Sequence, residues 1–307
     1  MTTRTLPVID LASVLAGHPD SRAAAAEQVR SALSDVGFFS IVGHGIAWDQ
    51  VLDIYDQAAR YHALPEPVKR SGLMSPRTMG YSPLGSAKIG DRPAALNAAF
   101  FMARPGSHRN QLPPDEVLPG FGAAVTAYYR AMDDLGHVML DLYALAAGMP
   151  VDYFHQFFDP ALATLRLTHY PPVPAAQDQW GIDPHSDAGF MTMLPTNAVA
   201  GLWIRPDGGD WFAVEQEPES FVVNSGDMLR RWSNDRFLST THRVLNESPT
   251  DRYAIPFFFD PRPDTVITPL PSLVDGQHPS RHEPLLYRDY LTAFMSEGYA
   301  PVRGDAV

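Results

Sequence analysis

His185-Ser186-Asp187 sets an imidazole and a carboxylate two positions apart, and a second imidazole, His242, stands well downstream in Ser239-Thr240-Thr241-His242-Arg243-Val244. In an extended chain residues i and i+2 point to the same side. His185 and Asp187 can then reach one ion at roughly 2.0–2.2 Å, while Ser186 turns away. Two neutral imidazoles and one carboxylate make a facial triad, which holds Fe(II) on one side and leaves the other side open. The same donors accept Mn(II), Co(II), Ni(II) or Zn(II), and affinity alone favours the later metals. Further along, Arg252 opens the strand-like run Arg252-Tyr253-Ala254-Ile255-Pro256-Phe257-Phe258-Phe259. A fixed guanidinium beside an open metal site is what a chelating dicarboxylate would need.

Blander readings compete with each of these. An H-x-D pair is common by chance, and a lone histidine is more often a surface or satisfied core residue. Ser186 with its neighbours does not make a hydrolase triad, because adjacent residues of one strand cannot line up as nucleophile, base and orienter. No G-x-S-x-G elbow occurs. His44, in Gly43-His44-Gly45, reads as a turn residue, and His169 as structural.

The chain has 307 residues, 45% hydrophobic and 19% charged, which describes an ordinary globular protein able to bury a large core. A formal charge of −12 argues against binding nucleic acid, whose phosphates would be repelled. Cysteine is absent, which excludes disulfides, iron–sulfur clusters and thiolate-ligated metals. No run of about 18 apolar residues occurs, so a membrane span is not expected. The expectation is a cytoplasmic protein acting on a small molecule, with no protein partner indicated.

The elements that must position these residues follow from periodicity. A short strand over Leu6–Leu11 leads to a helix capped by Asp20 or Ser21, with Ala25, Val29, Ala32, Leu33 and Val36 on its apolar face. Phe38–Val42 reads as a strand, and Ala47 to Leu64 as a helix stopped by Pro65 and Pro67. Residues 72–118 are rich in Pro and Gly, strand-like only over Ala94–Met102, and suited to covering a pocket. A long helix from Phe121 to Ala147 carries Val125, Tyr128, Met132, Leu135, Met139, Leu142 and Ala146 in one stripe, ended by Gly148 and Pro150. From Thr164 short runs alternate with turns: Leu165–Tyr170, Gly189–Leu194, Leu202–Arg205, Trp211–Val214, Phe221–Asn224, Thr241–Leu245 and Arg252–Phe259. These favour a jelly roll, with four strands between Asp187 and His242 and a last helix, Glu283 to Met295, packed outside.

As an ordered set these residues resemble the isopenicillin N synthase-like family of Fe(II)- and 2-oxoglutarate-dependent dioxygenases. The likeness runs through Pro7–Leu11, Val36–Ile46, Gly80–Gly85, Trp180–Phe190, Val223–Leu229 and His242–Phe259, nearly the whole chain. It implies a mainly β protein with flanking α-helices, a distorted double-stranded β-helix (jelly roll, cupin-like) core. Residues 1–118 would form an N-terminal helical and irregular region, and 119–307 the long helix, catalytic core and C-terminal helix, in one compact unit. It further implies Fe(II) held by His185, Asp187 and His242, with 2-oxoglutarate chelating the metal and its far carboxylate paired with Arg252. O2 would be the oxidant, and a C–H bond of a small molecule would be oxidised, most simply hydroxylated, with release of succinate and CO2. Tyr170 sits where a cosubstrate-binding tyrosine usually lies, with Thr168 on the same strand face.

One departure stands out. The family usually carries Arg-x-Ser, and this chain has Arg252-Tyr253-Ala254. Losing a charge-assisted hydrogen bond costs roughly 1.5–3 kcal/mol of cosubstrate binding unless water or another hydroxyl replaces it. Two rival readings stay open at this point: an oxidase of the isopenicillin N synthase type, needing no 2-oxoglutarate, and a non-redox jelly-roll metal protein. Tyr81, Asn97 and Phe100, with Phe257 and Phe259, are expected to approach the substrate pocket. The substrate itself is not named by the sequence.

Overall fold

A computed structural model describes residues 2–86, 94–172, 179–197 and 199–298. Its frame is the Phe121–Ala146 helix, whose expected stripe from Val125 to Ala146 is buried throughout. Full burial of side chains such as Val125, Met132 and Leu142 stabilises the fold by about 1.5–3 kcal/mol each. The Ser21–Asp35 and Trp48–His62 helices pack against this helix. It stops where Gly148 turns the chain with a φ of 69°.

On this helical layer lies a nine-stranded sheet. Its order is Val8–Asp10, Phe38–Val42, Phe221–Ser225, Met191–Pro195, Phe257–Asp260, Leu162–Tyr170, Ala98–Ala103 and Tyr81–Ser82, with Arg252–Ala254 also paired to Leu162–Tyr170. A five-stranded sheet runs Thr2–Thr5, Phe212–Glu215, Leu202–Arg205, Thr241–Val244, Ile182–His185. Residues of both sheets meet in two apolar clusters. One contains Leu6, Phe38, Leu202, Ile204, Phe212, Val214 and Val222, the other Tyr170, Val244 and Ala254. This is the double-stranded β-helix, with four strands between Asp187 and His242 as expected.

Several elements differ from the sequence expectation. Asp20 does not cap its helix; it takes a φ of 60°, and the Ser21 hydroxyl donates to the His18 carbonyl at 2.7 Å. Pro65 and Pro67 open a second helix, Glu66–Arg70, where a missing N–H costs nothing. The last helix begins at Tyr287. The strand expected to carry both His185 and Asp187 runs Ile182–His185 and stops short of Asp187; it is short, carries Pro184 and shows no apolar alternation. The Arg252–Phe259 run divides around Pro256 into Arg252–Ala254 and Phe257–Asp260. The pairing register survives, since the Arg166 N–H still donates to the Pro256 carbonyl at 3.0 Å, although Pro256 returns no bond.

His62 gives the fold a pH dependence. It is buried, and among the described residues the ring bonds only to the Leu167 carbonyl, Nε2 at 3.0 Å. Burial pushes its pKa down to about 3. Below the unfolded value near 6.5, the unfolded chain binds a proton that the folded chain refuses. Stability from this group is therefore full above pH 6.5 and falls as the pH drops toward 3. His62→Gln, which can still donate to Leu167, is expected to flatten the fall in urea midpoint between pH 7 and pH 5. Parallel curves for the two proteins would remove His62 from the account.

Candidate functional site

His185 closes the edge strand of the five-stranded sheet, and its Cα partner on the neighbouring strand is His242. Cross-strand pairing thus brings two residues far apart in sequence face to face, with ring centroids 4.3 Å apart. The strand ends at His185, so Asp187 does not follow it on one extended face; it enters from the loop that leads to Met191–Pro195. Asp187 Oδ1 lies 3.7 Å from Nε2 of each histidine. The three potential donor atoms lie within 4.8 Å of one another, a spacing that can hold a metal ion.

Each donor is aimed by a second contact. His185 Nδ1 lies 2.7 Å from the Asp183 carbonyl and His242 Nδ1 3.2 Å from that of Thr240. With protons on Nδ1, both Nε2 lone pairs point to the shared centre. Asp187 Oδ2 accepts from the Thr192 hydroxyl at 2.6 Å and the Asn224 amide at 2.7 Å, which leaves Oδ1 for an ion. Thr192 and Asn224 are themselves register partners on adjacent strands. The Asp227 N–H donates to the Asp187 carbonyl at 2.7 Å, and Gly226 allows this approach: a Cβ there would sit 2.3 Å from the Gly189 carbonyl oxygen. Burial, then the neighbouring His242, lowers the His185 pKa to about 4, so the ring is neutral and ready to ligate at physiological pH. Burial would raise the Asp187 pKa, but the two imidazoles with Thr192 and Asn224 outweigh it and hold the carboxyl below its ordinary value.

Arg252 is buried on the other flank, stacked over the Tyr170 ring at 5.0 Å, with Nε donating to the Val199 carbonyl at 3.2 Å. Gly201 makes room, since a Cβ there would lie 2.7 Å from Nε. One terminal guanidinium nitrogen, NH1, is buried without a partner, and so is the Thr168 hydroxyl. Arg252 pairs in register with Tyr170, and Ala254 with Thr168. The orphan hydroxyl thus stands directly across from the alanine where the resemblance expected a serine.

The five residues expected at the substrate pocket separate. Asn97 bonds to the Gly181 carbonyl at 2.6 Å and to Arg166 at 2.8 Å, on the inner side of the nine-stranded sheet. The others face the helices instead. Tyr81 and Phe100 pack on Tyr61, and Phe257 and Phe259 on Tyr129 and Phe158. This sheet is covered on both faces, so both strand parities are apolar and hydrophobicity does not say which one looks inward. Sequence reasoning missed Thr192, Asn224 and Arg166. Arg166 had a signal, a charge in an apolar strand with the parity of Thr168 and Tyr170. Residues 87–93 of the expected pocket cover lie outside the described residues.

The family model for the 2OG-Fe(II) oxygenase superfamily matches residues 161–261, and one for the non-haem dioxygenase in morphine synthesis N-terminal region matches residues 6–119. The chain is 33% identical to the 2-oxoglutarate-dependent dioxygenase citB of Monascus ruber, covering 93% of each protein. This chain belongs to the 2OG-Fe(II) oxygenase superfamily. The oxygenase also superposes on a full-length Neurospora crassa protein solved in complex with alpha-KG and thymine, with a TM-score of 0.86, 25% identity and coverage of 95% and 96% of the two chains. The structure of JOX2 in complex with 2OG, Fe and JA gives a TM-score of 0.83 at 26% identity, over 97% and 87%.

Fe(II) and 2-oxoglutarate are accordingly the oxygenase's metal and cosubstrate. The residues present fit both groups. Two aimed imidazoles and a half-engaged carboxylate suit an intermediate metal. A buried guanidinium nitrogen and a buried hydroxyl, both lacking acceptors, suit a carboxylate, because buried donors are otherwise paired. No helix among the described residues is long and apolar enough to cross a membrane.

Proposed function

We propose that the oxygenase hydroxylates an unactivated C–H bond of a small molecule, with His185, Asp187 and His242 as the iron ligands and Arg252, Tyr170 and Thr168 as the cosubstrate site. The single observation that carries this reading is the convergence of Nε2, Nε2 and Oδ1 on one centre while each partner atom is already engaged. When bound, iron and 2-oxoglutarate would supply the oxidation of the substrate C–H bond by O2, one oxygen atom going to the hydroxylated product and the other to succinate as CO2 is released. The protein's part is to orient, to desolvate and to keep the two histidines neutral. Residues 1–118 and 119–307 act as one compact unit in this reading. A cytoplasmic setting suits a chain without cysteine, and the charge of −12 favours a small-molecule partner over nucleic acid.

Anaerobic addition of Fe(II) and 2-oxoglutarate is expected to produce a visible metal-to-ligand charge-transfer band. In air, a substrate should then release succinate one-for-one with a hydroxylated product. A metal-loaded protein with no band at saturating 2-oxoglutarate would overturn the assignment.

In the same reading, the Thr168 hydroxyl takes over the hydrogen bond that Ala254 cannot make. Thr168→Val is expected to weaken 2-oxoglutarate binding roughly tenfold, the worth of one hydrogen bond to a charged group. Ala254→Ser is expected to tighten binding, and to do so most in the Thr168→Val background, where its hydroxyl has no competitor. Equal effects of Ala254→Ser in both backgrounds, followed through the charge-transfer band, would show that the two positions do not share one acceptor.

A further inference from the structure

Asp187 approaches the metal centre from a loop, so no sheet register fixes the direction of its carboxylate, and the loop itself must be held. Two carboxylates hold it, one at each end. At the first end stands Asp227, whose N–H donates to the Asp187 carbonyl at 2.7 Å and whose Oδ2 accepts from the Ser186 hydroxyl at 3.2 Å. At the second stands Asp260, the last residue of the Phe257–Asp260 strand. Phe259 pairs in register with Met191, which brings Asp260 abreast of Phe190, and the Phe190 N–H donates to Oδ1 at 2.6 Å. The fit is close: a Cβ on Gly189 would lie 2.1 Å from that oxygen. The Phe190 ring is packed among Tyr143, Phe154, Phe158 and Trp232, which keeps the turn from sliding along the strand.

Both carboxylates are met by the first turn of the last helix, Tyr287–Gly298. The Tyr290 hydroxyl donates at 3.2 Å to Asp227 Oδ2, the oxygen that also takes the Ser186 hydroxyl. The Tyr287 hydroxyl is buried facing Asp260 and has no other partner among the described residues. Residues three apart share a helix face, so one face presents both phenols. Among the described residues, Asp260 is offered hydrogen-bond donors and no cation. A carboxyl kept in such a place is costly unless its bonds are used. The bond it makes runs to the loop that carries Asp187.

We propose that Asp260 is a positioning residue for Asp187, and that the last helix, through Tyr287 and Tyr290, sets the affinity of the protein for iron. The inference rests on the iron ligands proposed above. Undocking that helix would loosen Asp187 and leave the stack of Arg252 on Tyr170 in place, since those two residues lie on other, mutually paired strands.

Two measurements test this together: equilibrium dialysis with Fe(II), and the visible d–d spectrum of the Co(II)-substituted protein, which reports how the ligands are arranged. Asp260→Leu is expected to lower iron affinity about tenfold, the low end for residues that orient a ligand, and to shift the Co(II) bands. Asp260→Asn is expected to restore both, because its amide oxygen still accepts from the Phe190 N–H. Tyr290→Phe is expected to cost about threefold in iron affinity, and Tyr287→Phe combined with it about tenfold, the worth of one and of two modest hydrogen bonds. In every variant the 2-oxoglutarate affinity at saturating iron should match the parent, a separation that general loosening of the fold would not give. An Asp260→Leu protein that keeps its apo thermal midpoint, yet binds iron and shows Co(II) bands as the parent does, overturns the proposal. So does an Asp260→Asn protein as impaired as Asp260→Leu. Should Asp260→Leu fail to fold, the double phenylalanine variant decides, and unchanged iron affinity there overturns the proposal. Failure of Asp187→Asn to weaken iron binding would instead strike the ligand assignment beneath it.

Discussion

Asp187→Asn is expected to lower iron affinity by more than about 100-fold and to remove the charge-transfer band at ordinary iron concentrations. Replacing residues that merely orient a ligand costs about 10–100-fold, and this substitution removes the ligand charge itself. The local geometry sharpens the expectation. Oδ2 accepts from both Thr192 and Asn224, so an amide in this place must keep its oxygen toward those two donors. Its NH2 then faces the centre where Oδ1 stood, between two imidazole lone pairs. The variant should fold, since the asparagine oxygen preserves the contacts to Thr192 and Asn224. Equilibrium dialysis with Fe(II), read beside the thermal midpoint of the apo protein, separates loss of metal from loss of fold. Iron retention within tenfold of the parent would take Asp187 out of the ligand set.

Arg252→Gln is expected to raise the dissociation constant for 2-oxoglutarate by roughly 30-fold to a few thousand-fold, the range that follows from 2–5 kcal/mol for breaking a buried charge pair. The buried guanidinium already places Nε on the Val199 carbonyl and its face on Tyr170, so the orphan NH1 is presented at little entropic cost. Glutamine keeps a polar end but loses the charge and the fork. Iron binding should be untouched, because Arg252 contacts none of the three donors. The charge-transfer band should therefore return at high 2-oxoglutarate, with its full intensity and a displaced midpoint. A variant that binds 2-oxoglutarate as the parent does would assign the distal carboxylate to another group.

The sequence carried the chemistry of this site better than its geometry. The stripe of the long helix and the four strands between Asp187 and His242 follow from periodicity and turn spacing, and the structure has both. The reading of His185 and Asp187 on one extended face does not survive, because the strand stops at His185 and the loop turns Asp187 back. Local pattern could not show this, since the turn depends on Gly226 and Asp227 from a distant segment. Tyr81, Phe100, Phe257 and Phe259 were expected inward and face the helices. A sheet covered on both sides gives no contrast in polarity between its faces, and only the rarer polar side chains, Arg166, Thr168 and Asn224, betray the inner one.

The pairing of His185 with His242 has a consequence beyond catalysis. The Ile182–His185 strand is an edge, hydrogen-bonded to one neighbour with a break in register between His242 and Val244. An ion shared by His185, Asp187 and His242 would fasten that edge to the neighbouring Thr241–Val244 strand and to the adjoining loop. Binding the native state alone adds about 2.7 kcal/mol once the free ion stands 100-fold above its dissociation constant. Without metal, this edge would lose that fastening, and an edge strand that opens offers unpaired backbone to other chains. Iron is therefore expected to raise the thermal midpoint of the protein as well as to switch on its activity.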